Sequence, residues 1–170
     1  MSVITQIVKM NIIHSVGALA LSTRLQVLSE QLRKDGALLY KEYDINFEPK
    51  WFPVIYTLHQ KKALSVVEIA SEIGYSHPST ISLLKELEKE KIVQSKKDKT
   101  DERKRILSLS TKGEDLIIKM LPVWSVINSA LEEIVDNDNN LLKAINEAEE
   151  KIKRSSFFQR ALILKEKAEK

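Results

Sequence analysis

The stretch 65–93, SVVEIASEIGYSHPSTISLLKELEKEKIV, and its continuation 94–109, QSKKDKTDERKRILSL, decide the fold. Ser65 and Glu68 have the spacing of a capping box, in which the serine accepts from an orphan amide and the glutamate reaches back to the cap's own amide. A helix therefore starts at Ser65. It ends at Gly74, the residue best able to adopt the left-handed conformation that terminates a helix. Ser76 or His77, with Pro78 in the first turn, opens another helix at once. This second helix runs through Ile81, Leu84, Leu87 and Glu88 to about Lys91, after which Ile92 and Val93 switch to a strand-like pair. Ile106-Leu107-Ser108-Leu109 forms a second short strand. Between the strands, Lys96 to Arg105 carries six basic residues (96, 97, 99, 103, 104, 105) against three acidic ones (98, 101, 102), an excess equal to the net charge of +3 on the whole chain. Thr111 and Glu114 repeat the capping-box spacing and start a long helix. Its Leu116, Met120, Val123, Ile127, Leu131 and Ile134 keep helical register, and Pro122 is expected to kink it.

Upstream, Leu21, Leu25, Leu28, Leu32, Leu39 and Tyr43 lie on one stripe of a long helix, with Asp35 and Gly36 on the missing beat and Gly36 a local weak point. Asp44 to Pro49 reads as a loop. Pro49 suits the first turn of a helix carrying Trp51, Phe52, Ile55, Tyr56 and Leu58, which Pro53 makes short or late-starting. The first residues, with Val3, Ile4, Ile7, Val8, Ile12 and Ile13, read as an amphipathic arm that packs on this chain or a partner. Downstream, Asp136 to Asn140 breaks the pattern, and one helical region from Leu141 to about Lys167 is expected to follow, carrying Ile145, Ala148, Ile152, Phe157, Phe158, Ala161 and Leu164.

Composition agrees with a mainly helical domain. The 170 residues include only four Gly and four Pro, and 43% are hydrophobic against 30% charged. Turn residues this scarce argue strongly against an all-β sandwich. A net charge of +3 is no polycation, so any nucleic-acid surface must be local. The absence of cysteine excludes disulfides, thiolate zinc sites, a cysteine nucleophile and thiol-based oxidant sensing. His14, His59 and His77 form no metal motif, and there is no nucleophile elbow, phosphate loop or dinucleotide fingerprint. Paired acids such as Glu132–Glu133 and Glu149–Glu150 read as exposed helix faces, so no enzyme activity and no cofactor is expected. The apolar run from Val3 to Leu21 is interrupted by Lys9 and too short to span a bilayer, and Met1 to Gln6 lacks the basic residues of a secretory signal. A cytoplasmic protein is expected.

Helix, tight turn, helix, strand, basic loop, strand and capped helix make up a winged helix-turn-helix, here a mainly α fold with a small β wing. The second helix of the pair suits a major groove, and the hairpin suits the adjacent backbone or minor groove. Thr80, Leu83, Leu84 and Leu87 fall on one side of it, so Pro78, Ile81, Ser82, Lys85 and Lys89 face away from the core. Ser76, His77 and Ser79 sit at its amino-terminal end, where free amides favour a phosphate. Lys85 suits a guanine edge or a phosphate, Ser82 donates to either, and Ile81 suits a thymine methyl. Each feature has a plainer reading: a charge run is ordinarily a solvated tip, His77 a helix-start residue, and Ile81 a local packing residue.

The sequence resembles the multiple antibiotic resistance regulator (MarR) family of bacterial winged-helix transcription factors, over roughly Leu21 to Leu131. The resemblance rests on 64–70 through Gly74-Tyr75-Ser76-His77-Pro78, on Leu84-Lys85-Glu86-Leu87-Glu88 through Ile92-Val93, and most specifically on Asp101-Glu102-Arg103 followed by Leu107, Leu109, Ser110 and Gly113. The last group is similar to the family's D-x-R wing signature and the L-T-x-x-G pattern after it. By resemblance, Arg103 enters the minor groove from the wing tip and Asp101 supports the wing. Phe47-Glu48-Pro49-Lys50-Trp51-Phe52-Pro53 and Ser76-His77-Pro78 resemble a branch in which the winged helix is fused to an acetyltransferase domain. Four scattered glycines supply no pyrophosphate loop for such a domain, so only the DNA-binding half is carried over. Thr80, Ile81 and Ser82 depart from the commoner residues of the family, so base preference does not transfer.

The expectation is a homodimeric DNA-binding regulator, a repressor on a pseudo-palindromic operator. Its parts are an arm and dimerisation helix (1–48), a winged helix-turn-helix (49–113) and carboxy-terminal dimerisation helices (114–170). The expected DNA contacts are Ser76, His77, Pro78, Ser79, Ile81, Ser82, Lys85, Lys96, Lys97, Lys99, Arg103, Lys104 and Arg105. The family often releases DNA on binding a small aromatic ligand in a cleft near the dimerisation helices, and Tyr40, Tyr43, Trp51, Phe52, Tyr56 and His59 stand in the corresponding region. The competing class is a helical dimeric adaptor that does not bind DNA, and a third is the regulatory fragment of an acetyltransferase fusion.

Overall fold

A computed structural model describes residues 12–97, 104–136 and 138–169. The expected amino-terminal arm lies mostly outside these residues, as do Lys99, Asp101 and Arg103. The chain divides into two units, 1–123 and 124–170.

In the first unit, a helical turn α1 (Ile12–Ser15) and a 3₁₀ turn precede α2 (Leu21–Glu42), which is continuous through Gly36. Along α2 only Tyr40 is buried, while Leu21, Leu25, Val27, Leu28 and Leu38 are exposed. After the loop, Pro49 opens a 3₁₀ turn, as its fixed φ favours, and α3 (Phe52–Lys61) begins at the residue before Pro53. Val54, Ile55 and Leu58 of α3 are fully buried. Strand β1 (Ala63–Ser65) leads directly into α4 (Val66–Ile73), whose cap is the expected box: Glu68 N donates to Ser65 Oγ at 3.3 Å and Ser65 N donates to Glu68 Oε2 at 2.7 Å. The Ser65 hydrogen bonds hold the Glu68 carboxyl below the usual carboxylate range. Gly74, at φ 70°, closes α4 in the left-handed region, and α5 (His77–Lys89) follows with Ser76 as its cap.

Strands β2 (Val93–Lys97) and β3 (Arg105–Leu109) form the hairpin, and β1 adds to the other edge of β3, giving the antiparallel order β1-β3-β2. The sequence reading missed β1, because three residues that also contain a helix cap carry no alternation to read. Its register, Ala63 with Ser108 and Ser65 with Ile106, fastens the start of α4 to the wing. Around this sheet pack Ile69, Leu83, Leu84, Leu87, Leu107 and Leu109, joined by Ile117, Met120 and Val123 of α6 (Thr111–Val135), all buried.

The start of α6 corrects an expectation. The cap is Ser110, not Thr111: Gly113 N donates to Ser110 Oγ at 3.1 Å, and Thr111 is the first helical residue. Ser110 is recruited because its hydroxyl also donates to the Lys91 carbonyl at 2.6 Å and its amide to the Ile92 carbonyl at 2.9 Å, so one residue caps α6 and ties it to the end of the helix pair. Pro122 sits within α6 without ending it.

In the second unit the single expected helix is two, α7 (Leu141–Arg154) and α8 (Phe157–Ala168). Ser156 caps α8 through a box with Gln159, which offers the backbone a stop and restart that periodicity alone overlooks. Neither helix has a buried residue, and Phe157 is 81% and Phe158 68% exposed. Among the described residues no helix is long and apolar enough to cross a membrane.

Candidate nucleic-acid interface

The interface is built on α5. Its amino-terminal end is fixed by Ser76, whose Oγ accepts from Ser79 N at 3.3 Å and lies 2.8 Å from Ser79 Oγ. His77 and Pro78 are the first helical residues, and the missing amide of Pro78 falls where an amide has no intrahelical acceptor. Ser76, His77, Pro78 and Ser79 are all exposed. Thr80 turns inward and is fully buried, its hydroxyl donating to the Ser76 carbonyl at 3.0 Å. A polar residue is tolerated there because its one donor is satisfied within the first turn.

On the body of the helix, Leu83, Leu84 and Leu87 are buried, Ile81 is half-buried, and Ser82, Lys85 and Lys89 are exposed. The core side is thereby fixed, and the opposite side presents a hydroxyl and two amines. Lys96 and Lys97 at the end of β2, and Lys104 before β3, are exposed beside the hairpin tip. Among the described residues Lys85, Lys89, Lys96 and Lys97 form no ion pair, so their charges remain available to an anion. Arg105 differs: its Nη2 donates to Glu88 Oε1 at 2.5 Å and to Ser95 Oγ at 2.6 Å, tying the wing to α5.

A second tie, which the sequence reading did not foresee, joins α5 to the segment before α3. Lys50 Nζ lies 2.7 Å from Glu86 Oε1, and Trp51 Nε1 donates to the same oxygen at 2.9 Å. Lys50, with Trp51, holds the Glu86 carboxyl below the usual carboxylate range, and Glu86 raises the Lys50 amine. The available signal was the placement of two glutamates on either side of Leu87, the flanks of a helix whose core side was already clear.

The six residues expected near a ligand cleft differ in burial. Tyr40 and Trp51 are buried against Phe47, with ring centroids 4.8 and 5.7 Å away in edge-on geometry. Phe52 and Tyr56 stack at 5.2 Å on the exposed side of α3, and Tyr43 is exposed. His59 is half-buried, with Nδ1 lacking a hydrogen-bond partner. An open groove of about 440 Å³ lies nearby, lined by Ala37, Lys41, Asp44, Ile45, Asn46, Phe47 and Glu48, none of them among the six.

A helix pair joined by a tight turn, an exposed second helix and a three-stranded wing define a winged helix-turn-helix protein. The MarR family model matches residues 43–104, from the loop before α3 to the wing. The transcriptional regulator Hpr of Bacillus licheniformis is 29% identical over 119 residues, which are 67% of this chain and 56% of that protein. The chain thus spans little more than half the length of that relative. Among solved structures, Mycobacterium tuberculosis MOSR in complex with DNA has a TM-score of 0.67 at 14% identity, covering 78% of this chain and 96% of that one. Bordetella bronchiseptica BpsR, described for regulation of its DNA binding by 6-hydroxynicotinic acid, has a TM-score of 0.56 at 16% identity, covering 75% and 97%. These two likenesses show the shared fold. Residues 43–104 thus carry the winged-helix domain of the MarR family, a family of transcriptional regulators.

Proposed function

We infer that the chain binds double-stranded DNA as a homodimer and acts as a repressor on a pseudo-palindromic operator, in the cytoplasm. The observation that carries this reading is the side of α5 opposite the buried leucines, which exposes Ser82, Lys85 and Lys89, together with the exposed wing lysines Lys96, Lys97 and Lys104. Ser76, His77, Pro78 and Ser79 meet phosphate at the helix end, Ile81, Ser82 and Lys85 meet base edges, and Lys96, Lys97, Lys99 and Lys104 meet the flanking backbone. By resemblance, Arg103 enters the minor groove and Asp101 supports it.

Dimerisation is supported by the apolar side chains left exposed within each unit taken alone: Leu21, Leu25 and Leu28 in the first, Phe157, Phe158 and Leu164 in the second. Exposed apolar surface of this extent ordinarily marks an interface. Residues 1–48 and 114–170 are accordingly assigned to dimerisation and 49–113 to DNA. Two-fold symmetry sets the half-sites about one helical turn apart. Release by a small aromatic ligand is supported by BpsR, and on this chain by the stacked, exposed Phe52 and Tyr56.

The test is selection from a random duplex pool at near-physiological salt, followed by affinity measurements across salt. An enriched inverted repeat with a steep salt dependence is expected, because lysine–phosphate contacts release counterions. No enrichment by a folded, dimeric protein would refute the reading and leave the adaptor alternative.

A further inference from the structure

Two carboxylates on α5 stand outside the proposed DNA contacts. With about 100° per residue, Glu86 and Glu88 lie about 100° to either side of Leu87. The arc between them on the core side holds all the buried residues of α5, Thr80, Leu83, Leu84 and Leu87. The outer arc holds Pro78, Ser82, Lys85 and Lys89, all exposed, and the half-buried Ile81. Each carboxylate is gripped by a different neighbour: Glu86 by Lys50 and Trp51 from the segment before α3, and Glu88 by Arg105 from β3, whose guanidinium also reaches Ser95 on β2.

We propose that Glu86 and Glu88 are positioning residues for DNA recognition, brackets that fix the rotation of α5 about its own axis, with Arg105 serving the bracket rather than a phosphate. The proposal rests on α5 entering the groove. Close packing of the four buried side chains keeps the inward side of α5 inward, but it forms no directional bond on either flank. Hydrogen-bonded ion pairs on both flanks are directional and resist it in both senses. Roll matters because side-chain tips lie roughly 6 Å from the helix axis, so a turn of about 20° moves them by about 2 Å. A base-edge hydrogen bond does not survive an error of that size. The same pairing neutralises two carboxylates that would otherwise repel the phosphates.

The experiment compares binding to the duplex selected above with binding to a scrambled duplex of equal length and composition, across salt. The variants are Glu86→Ala, Glu88→Ala, and Glu90→Ala as a carboxylate control at the end of the same helix, with urea unfolding used to verify each fold. Losing one base-edge register is expected to lower the ratio of specific to scrambled affinity about tenfold in Glu86→Ala and in Glu88→Ala. Glu90→Ala is expected to keep the ratio. Arg105→Gln should show the loss of Glu88→Ala with an unchanged salt slope, the double variant should lose no more than either single one, and Arg105→Lys, which keeps a cation for Glu88, should restore most of the ratio. An equal gain of affinity for both duplexes in all three glutamate variants would overturn the proposal, since that is simple charge removal. A salt slope lower by about 1 in Arg105→Gln would also overturn it, because Arg105 would then be a phosphate contact. Failure of the unaltered chain to discriminate the two duplexes would overturn the DNA reading itself, and the bracket with it.

Discussion

Replacing Gly113 by alanine tests the close approach that seats α6 on the end of the helix pair. A Cβ at 113 would lie 2.3 Å from the Ile92 carbonyl oxygen and 3.3 Å from both the Ile92 carbonyl carbon and Leu109 Cβ, where ordinary contact begins near 3.4 Å. The obstructing atom is backbone and accepts from Ser110 N at 2.9 Å, so it cannot retreat the roughly 1 Å required without loosening the cap of α6. Overpacking of this kind costs typically about 1–3 kcal/mol, and the better helix propensity of alanine returns at most about 1 kcal/mol. With the full offset, a net destabilisation of up to about 2 kcal/mol is expected. Gly36 supplies the control, since it is also helical but a Cβ there meets nothing within 4 Å. Gly36→Ala should therefore stabilise by about 0.5–1 kcal/mol. Urea unfolding of both variants at one protein concentration reads the two midpoints on either side of the parent. Midpoints that move in the same direction would refute the argument that Gly113 is dictated by the Ile92 carbonyl.

Ser76→Ala removes the cap of α5 and should cost about 0.5–2 kcal/mol by urea unfolding, and unchanged stability would show that the cap contributes nothing. Lys97→Ala should weaken binding alike on selected and scrambled duplexes and lower the salt slope by about 1, whereas a sequence-selective loss would place Lys97 at a base. Glu86 has a folded-state pKa below its unfolded value, so its contribution is present above about pH 4.5 and lost as pH falls through the lowered value. Lys50 is raised, so the same pair also weakens as pH climbs through its raised value, above about 10.5. Urea midpoints from pH 7 to pH 3 should accordingly fall less steeply for Glu86→Gln than for the parent, and an identical acid limb would refute the assignment. Trp51→Phe keeps a ring beside Phe47 but drops the donor to Glu86; circular dichroism should remain unchanged while the specific-to-scrambled ratio falls.

Hydrogen bonds made between neighbours in the chain were legible as spacings. The Ser65–Glu68 box, the left-handed Gly74 and the Ser76 cap with Pro78 behind it each involve residues at most four apart, so residue type and interval already state the bond. The inward side of α5 was equally legible, because four apolar or satisfiable positions at helical period admit one orientation toward a core. The choice between Ser110 and Thr111 as the cap of α6 was not legible, since both carry a hydroxyl and only the position of the Lys91 and Ile92 carbonyls selects the former. The aromatic residues from Tyr40 to Tyr56 look alike in sequence, yet packing sends Tyr40 and Trp51 inward and leaves Phe52 and Tyr56 on the surface.

By itself, the sequence determined the helix pair, its tight turn, the charged hairpin and the outward side of the second helix, because periodicity and capping are local and repeat along the chain. Tertiary structure decided that β1 joins the wing, that Gly113 must be bare, and that Glu86 and Glu88 are held from opposite flanks by partners 35 and 17 residues away. A bond between residues so far apart leaves no interval to read, since it exists only once the core has closed and brought its two ends together.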